Sequence, residues 1–199
     1  MGSAASGRLL GVLVLAAALA LAGCGQTTDL RLEGVSGTAA ALGVQDVPTG
    51  QSVSFGSIML CLSRAGSATL RSVAVHQPTG DIEVQAFAVR PNPFTRGLEG
   101  VGSARGAISD LHADLDPSAP GKTVAGVCAA DPTKPTDAES AHSVELVVQV
   151  ARGGGDVAGG SALDVVYEAG GSTRTAVIPF GVWLCAAACP PEANALYKP

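Results

Sequence analysis

The sequence predicts an all-β chain, an immunoglobulin-like antiparallel β-sandwich of about seven strands. Three observations predict it. Apolar and polar residues alternate with a period of two in several segments. Turn signals rich in Gly and Pro separate those segments at short intervals. No stretch of the mature chain repeats apolar residues at helical spacing, apart from a short possible helix near residues 107–115.

The strands follow in order. Residues 52–62 place Ile58, Leu60 and Leu62 on one face and Met59 and Cys61 on the other. A turn at 64–67 leads to residues 69–76, and Gln77-Pro78-Thr79-Gly80 turns again. Over 81–90 the alternation sets Ile82, Val84, Ala86 and Ala88 inward and Asp81, Glu83 and Gln85 outward. Residues 94–121 are irregular, with several Gly and Pro. Residues 122–128 form a further strand, and 129–141 a polar loop. Residues 143–151 alternate most clearly: Val144, Leu146, Val148 and Val150 share a face, with Glu145 and Gln149 opposite. A Gly-rich loop is expected over 153–161. Leu163, Val165 and Tyr167 then alternate with Asp164, Val166 and Glu168. Gly170-Gly171 reads as a hairpin turn, because adjacent glycines accept positive φ without strain. The last strand is expected over 173–185. Pro179 within it cannot donate to a ladder and marks an edge or a bulge.

Ahead of these strands lies a different kind of segment. One positive charge, Arg8, precedes an apolar run over residues 9–21. That run is shorter than the roughly 20 residues needed to span a bilayer core. It ends in Leu21-Ala22-Gly23-Cys24. The three-part pattern is that of a signal peptide, and the four residues resemble the lipobox of bacterial lipoproteins. The resemblance covers only the leader and Cys24. It implies cleavage before Cys24, diacylglycerol on its thiol, and attachment of the mature chain to the outward side of the cell membrane. A thiolate suits this chemistry as the strongest side-chain nucleophile near neutral pH. Each buried methylene contributes about 0.8 kcal/mol, so two acyl chains hold stably where one binds reversibly. The expected organisation is a signal peptide over 1–23, a flexible tether over 24–51, the sandwich over 52–189 and a tail over 190–199. A weak strand is already possible over residues 30–33.

Composition narrows the rest. The formal net charge of −5 becomes −6 once Arg8 leaves with the leader. A mildly acidic chain argues against a nucleic-acid partner, which favours a basic stripe. Beyond Cys24, four cysteines remain: Cys61, Cys128, Cys185 and Cys189. An even count in an exported chain implies two disulfides. The expected pairing is a local Cys185–Cys189 bridge with Cys61–Cys128. The competitor is Cys61–Cys185 with Cys128–Cys189, if the first and last strands run parallel side by side.

No catalytic constellation emerges, and no cofactor is expected. Asp110, His112, Asp114 and Asp116 alternate, and an extended backbone would project them from one face toward a metal. The Ca2+-loop pattern fails, because its turn Gly and terminal Glu positions hold Leu115 and Gly121. A solvated acidic loop explains the segment as well. His76 and His142 have no second His at ligand spacing. The stretch over 153–161 lacks the Lys and helix of a phosphate loop. Ser103 misses the nucleophile-elbow spacing by one residue. The sequence therefore predicts a non-enzymatic envelope lipoprotein whose sandwich binds an unidentified envelope protein or ligand, or serves structurally. The alternative is an envelope hydrolase or metal-dependent enzyme built from loop residues such as Asp110, His112 and Asp114.

Overall fold

The computed structural model describes residues 30–34, 40–93, 100–111, 115–118, 122–128 and 142–194. Apart from short 3-10 turns the regular structure of these residues is β, in two sheets. The larger sheet holds β1 (Leu32–Gly34), β2 (Ala40–Val44), β3 (Ser52–Leu62), β5 (Thr79–Pro91), β6 (Ser103–Arg105), β8 (Val144–Gly160) and β11 (Phe180–Cys185). The smaller holds β4 (Ala68–Val75), β7 (Thr123–Val124), β9 (Leu163–Ala169) and β10 (Ser172–Ile178). Strand pairs are antiparallel except β2 and β11, which run parallel with Ala40 opposite Phe180.

The two sheets share one core. Val53, Phe55, Ile58, Leu60, Leu146, Val148 and Val150 from the larger sheet meet Leu70, Val73, Leu163, Val165 and Tyr167 from the smaller. This is the period-two reading of β3, β8 and β9 turned into packing. A bulge in β3 between Phe55 and Ile58 resets its phase, so Val53 and Phe55 join Ile58, Leu60 and Leu62 on the same face. The β9–β10 turn is as expected, with φ of 57° at Gly170 and 77° at Gly171.

Several boundaries differ from the sequence reading, each for a physical reason. The tether expected up to residue 51 already contains structure. Leu30, Leu32 and Val47 are buried, β1 pairs with β3, and β2 pairs with β11. Small half-buried residues in β2 gave no clear period. The predicted loop over 153–161 is instead the second part of β8. Its last two glycines permit close approach rather than a turn: a Cβ at Gly159 would stand 2.7 Å from the Trp183 ring, and one at Gly160 2.6 Å from Val75, while Gly155 takes a φ of 70°. The single strand expected over 173–185 is two strands in different sheets. Pro179 lies between them, so the missing donor falls where the chain crosses from one sheet to the other. In β5 a bulge between Val84 and Ala86 breaks the alternation. Ile82, Val84, Phe87 and Val89 face the shared core, while Ala86 and Ala88 face away from it, toward Val101, Ile108, Leu115 and Val147. The strand over 122–128 shrinks to Thr123–Val124, and the short helix to a 3-10 turn over Ile108–Asp110. The tail begins late, since the 3-10 turn Pro191–Asn194 packs Ala193 against Ala41 and Trp183.

Candidate functional site

The four cysteines after Cys24 form two disulfides, Cys61–Cys128 and Cys185–Cys189, with Cα separations of 4.9 and 5.3 Å. Cys61–Cys128 fastens β3 to the segment beside it, where Leu62 donates to Gly126 and Cys128 to Leu62 through the backbone. Cys185–Cys189 closes a turn after β11, and Cys189 packs with Trp183 and Ala193. Parallel first and last strands do exist, but the early partner is β2, which carries no cysteine.

The acidic alternation does not persist as an extended face. Asp110 ends a 3-10 turn, where its carboxylate accepts from Ala107 N at 3.4 Å. Asp116 accepts from the backbone N–H and hydroxyl of Ser118 at 2.8 and 2.6 Å. Each carboxylate serves its own turn. His112 and Asp114 lie outside the described residues, as does Cys24. Among the described residues no group of three or more His, Cys, Asp or Glu is placed to hold a metal ion. His76 is occupied, with Nδ1 2.9 Å from Asp164 Oδ1.

Two features went unread in the sequence. The first is a buried polar network on the outer face of the larger sheet. Glu145 was expected outward and is fully buried, with Arg90 Nε donating to its Oε2 at 2.6 Å. Its Oε1 accepts from Ser57 N at 2.7 Å and Val101 N at 2.8 Å. The β3 bulge makes room. Gly56 admits Val101, since a Cβ there would lie 2.6 Å from the Val101 Cβ. Ser57 takes a φ of 57° to aim its N–H at the carboxylate.

The second is a cleft of about 260 Å3 where β4 of one sheet faces β5 of the other. Both strands bulge here, β4 between Leu70 and Ser72 and β5 between Val84 and Ala86. Arg71 and Gln85, the extra residues, both line the cleft. Bulges re-aim side chains and interrupt pairing, and two facing each other hold the sheet margins apart. Val73, Val84 and Phe87 supply apolar wall. Lys122 lies over the Phe87 ring, Nζ 3.8 Å from its centroid. Partial burial lowers the Lys122 pKa, opposed by the nearby Asp116 carboxylate. Arg71 pairs with Glu168, and its hydrogen bond holds the Glu168 carboxyl below the usual range. The cleft thus combines apolar wall with two cations, each answered by a carboxylate. Among the described residues that line it there is no paired nucleophile and base.

The described residues define a class: an all-β, two-sheet domain with two disulfides. No helix among them is long and apolar enough to cross a membrane. No protein-family profile matches the chain, and no curated protein does. Among solved structures it is similar to the Vibrio cholerae VesB protease, with a TM-score of 0.28 and 13% identity over 80% of this chain. The chain spans 32% of that structure's length. A similarity of that size carries no argument about activity.

Proposed function

We propose that the chain is an envelope lipoprotein, anchored in the cell membrane by diacylglycerol on Cys24 and exposed on the side away from the cytoplasm. Its domain is of immunoglobulin-like type and acts without catalysis, binding an envelope protein or ligand or serving structurally. The observation that carries this reading is Leu21-Ala22-Gly23-Cys24 closing an apolar run too short to span a bilayer. Two disulfides support it, since such bridges persist in oxidising compartments outside the cytoplasm. The immunoglobulin-like assignment is supported by two sheets around one core, a strand pair that changes sheet at Pro179, and Trp183 packed beside a bridge.

The test is fractionation of cells expressing the wild type and Cys24→Ser. The wild type should sediment with membranes, and the variant should move to the soluble fraction or remain uncleaved. A variant that stays in the membrane fraction with its leader removed would rule out the thioether as the anchor.

A further inference from the structure

We infer that one end of the sandwich, built from Leu30, Arg31 and the turn over residues 63–67, docks on an anionic lipid surface. The inference rests on the Cys24 anchor proposed above. The chain is fixed to the domain from Leu30 onward: Leu30 is buried, and Arg174 Nη1 donates to its carbonyl at 2.9 Å. Five residues lie between Cys24 and Leu30, an extended reach of roughly 20 Å. A domain so held stays within roughly 20 Å of the bilayer, with this end nearest to it.

The charge at this end suits that neighbour. Arg31 and Arg64 are exposed, and the backbone joins their segments: Arg31 N donates to Ser63 Oγ at 3.0 Å and Ser63 N to Arg31 O at 2.9 Å. Among the described residues neither guanidinium is in an ion pair. Against them stand Glu33 on β1 and, just before Leu30 in the chain, Asp29. Glu168, nearby at the end of β9, is already held by Arg71. The opposite end is acidic. Asp46, Asp81, Glu83, Asp156 and Glu192 are all exposed there. Its cations hold backbone carbonyls, the exposed Arg105 those of Gln45 and Asp46 and the buried Arg152 that of Val47. A chain of net negative charge therefore presents cations on the side where its anchor enters. An anionic leaflet attracts each surface arginine by an amount that falls off within a Debye length of about 8–10 Å. Glu33 set against the two arginines leaves one net positive charge among the described residues of this end, worth about 1 kcal/mol, or a roughly 5-fold shift in the docked-to-undocked ratio.

The experiment uses the full lipidated chain reconstituted in vesicles, of phosphatidylcholine alone or with phosphatidylglycerol added, and reads amide hydrogen exchange. The turn over 63–67 should exchange up to roughly 5-fold more slowly on the anionic vesicles. The turns over 45–51 and 76–80 should not change. High salt or the pair Arg31→Glu and Arg64→Glu should abolish the difference while core strands stay protected. Equal exchange on both vesicles, with the protein floating on each, would overturn the docking and leave the anchor standing. Protection of the acidic end would also overturn it. A protein that floats on neither vesicle would refute the anchor, and the docking with it.

Discussion

Glu145→Gln should destabilise the folded domain by about 3–5 kcal/mol, the cost of breaking a buried ion pair from one side. The amide can still accept from Ser57 N and Val101 N, which lie 2.7 and 2.8 Å from the native oxygen. It no longer carries the negative charge that pairs with the Arg90 guanidinium, whose side chain is 2% exposed. The loss is electrostatic rather than steric, because the two side chains have nearly the same shape. Replacing both partners, with Arg90→Met and Glu145→Leu, removes the two charges together. The double variant should lose less than the sum of the single losses. Its remaining cost is the two N–H groups that Glu145 now satisfies. Denaturant unfolding of the two single variants and the double variant measures this as a cycle. A loss under about 1 kcal/mol for Glu145→Gln would mean water reaches the site and the pair is not buried as described.

The two disulfides should differ in worth. Cys61 and Cys128 are 67 residues apart, and cross-linking a loop of that length stabilises by about 4 kcal/mol in the chain-entropy account. Cys185 and Cys189 are four apart, which gives about 2 kcal/mol. Alanine in place of both partners avoids leaving a free thiol. Cys61→Ala with Cys128→Ala should therefore lower the unfolding free energy more than Cys185→Ala with Cys189→Ala. The reverse order would show that the short bridge acts through the native packing of Trp183 and Ala193, not through the unfolded chain.

The strands that face one core on one side were legible, because burial on a single face writes a period of two. Leu163, Val165 and Tyr167 illustrate it, and so do Val144, Leu146, Val148 and Val150. The pairing of cysteines was legible from spacing, though only as the preferred of two schemes. Bulges were not legible. At Gly56-Ser57 and at Gln85 one extra residue shifts the phase, and an alternating sequence reads straight through it. That is why Ala86 and Ala88 were placed on the wrong face, and why the cleft went unseen. Glu145 was misread for a related reason. Its strand alternates, so a charge opposite the core faces solvent unless something covers it. The cover comes from residues near Val101, Ile108 and Leu115, whose segment has no period to announce it. Gly159 and Gly160 misled in the other direction: glycines in close backbone approach to Trp183 and Val75 look the same in a sequence as glycines in a turn.

The central claim is the attachment of this domain to a membrane through Cys24. Its most direct test is mass spectrometry of the mature chain's first peptide, recovered from the membrane fraction. The account predicts that the peptide begins at Cys24 and carries the added mass of diacylglycerol on its sulfur. A peptide beginning elsewhere, a leader still attached, or a free thiol on Cys24 would contradict it.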